Sequence, residues 1–187
     1  MFKLLVITLF SIFYAKGVHS FSVGSCVTSP VIADFDASKY IGLWYEIERS
    51  NVVFETELKC VTATYSFNTT NTINVRNYGL NKRTNKDDIV NGFATIPDPS
   101  KPNQLLVQFP QSPAPGQYHV WTTDYTGHTL IYSCQTIVPM ALKFEMIWIL
   151  ARTPTVDPSV VDGLKAILKS KNVDVSKFEV TERDSDC

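Results

Sequence analysis

Short strand-like runs alternate with turn-forming clusters from Leu43 to Phe109, and this pattern limits the possible folds more than any other feature of the sequence. Strands that recur every 8 to 12 residues or so, at roughly regular spacing, are typical of an all-β sandwich or barrel. We predict strands at 43–50, 60–68, 72–79, 87–96, 104–109, 118–124, 128–135 and 144–152. Their short connections favour an up-and-down antiparallel order. Strands in that order can close into an eight-stranded barrel, which removes the exposed edges of an open sheet.

One helix is predicted after the last strand. Asp157 is a suitable N-cap, and Pro158 is favoured at the first helical position. The apolar residues that follow share one helical face, and they are Val160, Val161, Leu164, Ile167 and Leu168. We therefore expect one amphipathic α-helix packed on the outside of the barrel, followed by a short edge strand or an extended tail.

The first residues are typical of a secretory signal peptide. Lys3 precedes an apolar run that ends near Tyr14, and the small-residue site Val18-His19-Ser20 follows. We predict a signal peptide at 1–20, a single domain at 21–187, and a secreted, extracellular protein. The chain has 17 basic and 18 acidic residues without a basic stripe, so nucleic acid is excluded as a partner.

The cysteines and one asparagine also point to an oxidising compartment. An even number of cysteines, Cys26, Cys60, Cys134 and Cys187, predicts two disulfides, and three pairings are possible from the residues alone. Their spacing matches no zinc site, so no metal is expected. Asn68-Thr69-Thr70 predicts one N-glycan on a surface loop.

Alternation along each strand predicts which side chains face the barrel interior, because successive residues point to opposite faces. The second strand places Ala63, Tyr65 and Phe67 inside. The same reasoning selects Ile73 and Val75, then Leu105, Val107 and Phe109, and it groups Tyr118 with Val120 and Thr122. The strands at 87–96 and 144–152 are apolar on both faces, so alternation does not orient them.

Three separated motifs carry a family resemblance: Gly42-x-Trp44, then Thr123-Asp124-Tyr125, then Arg152 at the end of the last strand. This ordered set resembles the lipocalin signature. Longer runs, such as 39–47, 63–66, 132–134 and 148–154, are similar to the branch of the family formed by apolipoprotein D and its insect relatives, the Lazarillo-type and bilin-binding proteins. The resemblance covers nearly all of the chain after residue 20.

The resemblance implies specific positions. Arg152 would lie across Trp44 at the closed end of the barrel, with a cation–π contact. The disulfides would be Cys26–Cys134 and Cys60–Cys187. The residues facing inward on the remaining strands would be Trp44 and Glu46, Val90, Gly92 and Ala94, Thr129, Ile131 and Ser133, and Met146, Trp148 and Leu150.

From these two lines of reasoning we expect a carrier of one small hydrophobic ligand. The predicted contact residues are Glu46, Ala63, Tyr65, Phe67, Val75, Val90, Gly92, Val107, Phe109, Tyr118, Val120, Ile131, Met146 and Trp148. Small residues on the inner wall favour a cavity over a fully packed barrel. The family's ligands include fatty acids, sterols and retinoids, and no cofactor is required. The alternative ligand is biliverdin, which would make the protein a chromoprotein.

Two loops at the open end, 50–58 and 136–143, are unusually apolar. They either fold inward as a lid or form an exposed patch that docks on a membrane, a lipoprotein or a second subunit. The sequence leaves both readings, and the oligomeric state, open.

Catalysis is not expected. Beyond residue 20 the only histidines are His119 and His128, and they suggest neither a metal cluster nor a catalytic triad. A thiol-dependent reaction would need a free cysteine in the barrel, and all four are expected to be paired.

Overall fold

The computed structural model describes residues 20–50, 52–69 and 72–187. The predicted signal peptide therefore lies, up to residue 19, outside the described residues. Within the described residues, neither helix combines the length and the apolar character needed to cross a membrane.

Ten strands of the described residues form one antiparallel sheet. They are β1 (Phe21–Ser22), β2 (Gly42–Arg49), β3 (Leu58–Thr69), β4 (Thr72–Asn81), β5 (Asp87–Thr95), β6 (Gln104–Gln108), β7 (Gly116–Thr123), β8 (His128–Val138), β9 (Leu142–Ala151) and β10 (Glu179–Val180). Strands β2 to β9 pair in sequence order, and β2 also pairs with β9, which closes the barrel. The predicted eight-stranded up-and-down barrel is confirmed.

The short strands lie at the two ends of this barrel sheet. Strand β1 pairs with the beginning of β9, and β10 pairs with the end of β2. The predicted edge strand after the helix is therefore present as β10.

The hairpin between β8 and β9 is longer than predicted. Ladder pairing continues through Thr136 with Lys143 to Val138 with Leu142, so most of the predicted loop 136–143 is strand. Apolar and polar residues do not alternate in this segment, so the sequence does not predict a strand there. Hydrogen bonds between β8 and β9 nevertheless extend both strands.

The helix α1 (Ala37–Tyr40) precedes β2, and α2 (Pro158–Ser170) follows β9. Asp157 caps α2 by accepting a hydrogen bond from the Ser159 backbone N–H. Helix α2 buries Val161, Leu164 and Leu168 in an outer cluster with residues of β7, β8 and β9. Ile167, predicted on the same face, is instead 38% exposed, since it lies at the margin of this contact.

Both predicted disulfides are present, Cys26–Cys134 and Cys60–Cys187. The first holds the N-terminal segment against β8, and the second holds the C-terminal residue against β3. Each therefore ties one end of the described chain to the barrel.

Candidate ligand-binding cavity

The closed end of the barrel is built around Trp44, which is fully buried. The Trp44 indole N–H donates to the Tyr40 carbonyl at 2.8 Å, and the Arg152 guanidinium carbon lies 3.7 Å from the centre of the indole ring. The Arg152 nitrogens also donate to several backbone carbonyls, those of Lys39, Tyr40, Ile41, Leu43 and Tyr125. One side chain thus satisfies carbonyls from two segments and seals the base.

Gly42 is required at this position for two reasons. Its φ is +102°, a conformation that residues with a Cβ rarely adopt, and an added Cβ would lie 3.2 Å from Arg152 Nη1. The turn before β2 and the approach of Arg152 therefore both depend on glycine.

The Thr123-Asp124-Tyr125 motif forms the turn between β7 and β8 at the same end. Asp124 Oδ1 accepts hydrogen bonds from the backbone N–H groups of Gly127 and His128, at 2.8 Å each. Hydrogen bonds from these backbone groups hold the pKa of the Asp124 carboxyl below its ordinary value, against the opposing effect of burial. Tyr125, at φ +66°, turns its carbonyl to Arg152. The three signature motifs thus meet at one end of the barrel.

A cavity of about 520 Å³ lies above this base and opens between the loops at the other end. Most of the predicted contact residues line it, and they are Glu46, Ala63, Tyr65, Val75, Val90, Val107, Phe109, Tyr118, Met146 and Trp148. A hollow barrel, and not a fully packed one, is therefore observed.

Four predicted contact residues do not line the cavity. Phe67 lies near the end of β3 and is 47% exposed. The ring of Phe109 packs directly on Gly92, within 2.6 Å of where a Cβ would lie, and separates it from the cavity. Val120 and Ile131 face inward as predicted, but they are fully buried in the cluster around Trp44 beneath the cavity.

Other lining residues were not predicted. Phe54 and Glu55 come from the loop between β2 and β3, and Gln111, Ser112 and Ala114 come from the loop between β6 and β7. Leu58 and Val61 line the cavity from the start of β3, where the register shifts between Lys59 and Thr62. The one available signal was Glu55, a carboxylate that follows an apolar run.

A network of buried charged groups forms one wall of the cavity. Glu46 Oε1 accepts from Arg49 Nη1 and from the Thr181 hydroxyl, both at 2.5 Å. Arg49 Nη2 donates to the Glu55 carbonyl at 2.8 Å. Glu46 was predicted as a ligand-contact residue; it lines the cavity, and its observed partners are this arginine and a threonine of the C-terminal segment.

Glu55 faces the cavity from the 3-10 helix at 53–55. Its Oε2 accepts a hydrogen bond from the Trp148 indole N–H at 3.0 Å. Burial, followed by the charge of Glu46, raises the pKa of the Glu55 carboxyl well above its ordinary value. Glu46 and Glu55 share one positive charge, that of Arg49. Glu55 therefore tends to keep its proton.

Tyrosine hydroxyls form the bottom of the cavity. Tyr65 and Tyr118 line it, and their hydroxyl oxygens are 2.8 Å apart. We call this pair the cavity floor. The Tyr118 hydroxyl is also 2.9 Å from that of Tyr40, whose pKa is raised to about 12 by burial.

The apolar loops at the open end are only partly turned inward. Val52 is buried, whereas Val53 and Phe54 are 48% and 63% exposed. At the tip of the β8–β9 hairpin, Ile137, Val138 and Met140 are 50%, 47% and 84% exposed. We call Val53, Phe54, Ile137, Val138 and Met140 the mouth patch.

The groups considered for catalysis lie away from the cavity lining. His119 Nδ1 is 2.8 Å from the Ser29 hydroxyl, and His128 Nδ1 is 3.2 Å from Asp124 Oδ2. All four cysteines of the sequence are in disulfides, which leaves no thiol for a thiol-dependent reaction.

A closed β-barrel with one largely apolar cavity, open at one end, defines a class of proteins that carry small hydrophobic molecules. Residues 35–183 match the family model described as a lipocalin-like domain. The chain belongs to the lipocalin family.

Individual relatives agree with this assignment. Apolipoprotein D of Bos taurus is 37% identical over 183 residues, covering 96% of this chain and 94% of the relative. The Lazarillo protein of Schistocerca americana is 31% identical, covering 84% and 74%. Among solved structures, lobster apocrustacyanin A1 has a TM-score of 0.79 at 22% identity, covering 92% of this chain and 96% of that one. The resemblance to the apolipoprotein D branch is confirmed.

Proposed function

We propose that the protein carries one small, electrically neutral hydrophobic molecule, such as a sterol or a retinoid, in the barrel cavity. The observation that supports this most strongly is the 520 Å³ cavity, with an apolar wall and an opening at one end. Burial of about 300 Å² of apolar ligand surface at roughly 25 cal/mol/Å² would provide about 7 kcal/mol before entropic costs. This is compatible with the affinity of a useful carrier.

The charges around the cavity favour a neutral ligand over an anionic one. Of the described residues that line it, Glu46, Glu55 and Asp88 carry carboxyl groups, and none is a lysine, arginine or histidine. An anionic group placed inside would be desolvated without a cation beside it, which is costly. Fatty acids, with one carboxylate, and biliverdin, with two propionates, are therefore less well supported than sterols or retinoids.

We further propose that the protein is exported and acts by binding, without catalysis. Two disulfides support an oxidising compartment. The sequence at 1–20 supports export as a signal peptide. Asn68 is exposed near the closed end, where an N-glycan would leave the cavity opening clear.

Native mass spectrometry of protein purified from its natural source tests the carrier proposal. We expect a complex with one bound molecule, which organic extraction identifies as a neutral lipid. A blue-green preparation whose extract contains a bilin would instead favour the chromoprotein alternative. Protein that never yields a bound small molecule, and binds none when sterols or retinoids are added, would contradict a carrier role.

The mouth patch supports a second proposal, docking on a lipid surface such as a lipoprotein or membrane. Large apolar side chains exposed together are uncommon on soluble proteins and often mark an interaction site. We expect flotation with phosphatidylcholine vesicles, and its loss in the double variant Ile137→Asp, Met140→Asp. Val31→Asp is the matched control, since Val31 is also 50% exposed but lies outside the mouth patch. Equal flotation of wild type and the double variant would contradict docking through this patch.

A further inference from the structure

The hydroxyl groups beneath the cavity form a continuous hydrogen-bonded chain. It runs from Tyr65 to Tyr118 at 2.8 Å, from Tyr118 to Tyr40 at 2.9 Å, and from Tyr40 to Thr129 at 3.4 Å. The Thr129 hydroxyl in turn donates to the backbone carbonyl of Thr122 at 3.1 Å. Each of these hydroxyl groups has a single hydrogen to donate.

The last contact fixes the direction of the whole chain. A carbonyl oxygen only accepts, so the Thr129 hydrogen is used on Thr122, and Thr129 can only accept from Tyr40. Tyr40 must then accept from Tyr118, and Tyr118 from Tyr65. This is the only direction that places a hydrogen in all three hydroxyl contacts and also keeps the bond from Thr129 to the Thr122 carbonyl.

The direction leaves an unused acceptor at the cavity floor. The Tyr65 hydrogen is directed to the Tyr118 oxygen, and the lone pairs of the Tyr65 oxygen accept no hydrogen bond within the described residues. Burial raises the pKa of both Tyr65 and Tyr118, so these hydroxyls keep their hydrogens at neutral pH.

We propose that the cavity floor recognises a ligand by accepting a hydrogen bond, and so selects a hydrophobic molecule whose buried end is a hydroxyl group. This inference rests on the carrier function proposed above and specifies the chemistry of its ligand. An aldehyde or ketone, which only accepts, can gain a hydrogen bond from Tyr65 only if the chain reverses. Reversal leaves either the Tyr40–Thr129 contact or the bond from Thr129 to the Thr122 carbonyl without a hydrogen.

Retinol and retinal test this directly, because they share one apolar skeleton and differ in the polar end. Trp148 lines the cavity, so quenching of tryptophan fluorescence reports binding of both. We expect the wild-type protein to bind retinol roughly three- to tenfold more tightly than retinal, the effect of about one neutral hydrogen bond.

Two variants separate recognition from packing. Tyr118→Phe removes the acceptor of the Tyr65 hydrogen, which then becomes available to the cavity, so the preference for retinol should disappear or reverse. Tyr78→Phe is the matched control, because Tyr78 also lines the cavity but its hydroxyl donates to Asp87. This variant should keep the wild-type ratio of retinol affinity to retinal affinity.

The outcomes distinguish this inference from the carrier proposal. Equal affinities of the wild type for retinol and retinal, or a Tyr118→Phe variant that weakens both by the same factor, would overturn the acceptor role of the floor and leave the carrier function intact. Binding of neither retinoid and of no added sterol by the wild type would overturn both.

Discussion

The Arg152 guanidinium carbon lies 3.7 Å from the centre of the Trp44 ring, and the same guanidinium donates to carbonyls on both sides of the turn into β2. These contacts join parts of the chain that are more than 100 positions apart in the sequence. The hydrogen bond from Arg152 to the Leu43 carbonyl, for example, spans 109 residues. Arg152 closes the base of the cavity because it lies across Trp44 and donates to the carbonyls of this turn. Without Arg152, these carbonyls would need water as their hydrogen-bond donor.

Arg152→Ala should therefore destabilise the protein substantially. The variant loses the cation–π contact and leaves backbone carbonyls without donors, and we expect the free energy of unfolding to fall by about 2–4 kcal/mol. Urea denaturation followed by fluorescence measures this change.

Arg76→Ala is the matched control for this change. Arg76 also lies over an aromatic ring, that of Tyr78, but at 5.9 Å and on the exposed surface, so its loss should cost less than about 1 kcal/mol. Similar losses in the two variants would show that Arg152 has no special role at the base.

Strand parity predicted the interior face of β3, β4, β6 and β7, whereas the family resemblance was needed for β2, β5, β8 and β9. It selected Ala63, Tyr65, Val75 and Val107 from alternation alone, because regular strands point alternate side chains to one face. Parity contains no information about depth along the barrel. Val120 and Ile131 therefore face inward but lie beneath the cavity.

Contacts that depend on irregular backbone could not be predicted. Glu55 reaches the cavity because the loop between β2 and β3 forms a 3-10 helix, and Thr181 reaches Glu46 only after the tail has paired with β2. Both positions result from tertiary packing, which no local pattern encodes. The disulfide pairing came from the family resemblance, since the cysteine spacing alone allowed three solutions.

Glu55→Gln should change how stability depends on pH. The folded protein holds the Glu55 proton at pH values where the unfolded chain, with an ordinary pKa of 4.5, has released it. The wild type consequently loses stability as pH rises above about 4.5 toward the folded-state pKa, by up to about 1.4 kcal/mol per pH unit. Glutamine resembles the protonated acid and lacks this loss.

Urea denaturation of both proteins at pH 5 and pH 8 checks this prediction. We expect the stability of Glu55→Gln relative to wild type to increase from pH 5 to pH 8. Burial lowers the pKa of His119, which also makes stability depend on pH, but His119 is present in both proteins and its effect cancels in the comparison. A constant difference between the two proteins would show that Glu55 has no raised pKa.

Removing the Cys60–Cys187 disulfide should loosen the tail that completes the charged wall. The backbone N–H of Thr181 donates to the Ile47 carbonyl, and the Thr181 hydroxyl donates to Glu46. In a Cys60→Ser, Cys187→Ser variant we expect a loss of about 2–4 kcal/mol in the free energy of unfolding.

Hydrogen exchange locates this effect. The Thr181 amide should exchange faster in the double variant, while the Val120 amide, which donates to Asn103 at the other side of the barrel, should change less. Equal acceleration at the two amides would indicate general destabilisation and contradict a local role for the disulfide.

The carrier function is tested most directly by filling the cavity and titrating retinol. Val90 lines the cavity, whereas its neighbour Ile89 is 43% exposed on the outer face of β5, so Val90→Trp and Ile89→Trp add the same side chain to opposite faces. We predict saturable binding at one retinol per protein in the wild type and in Ile89→Trp, and a loss of at least about tenfold in affinity in folded Val90→Trp, because the added indole occupies ligand space. Unchanged retinol binding by folded Val90→Trp would contradict binding inside the barrel.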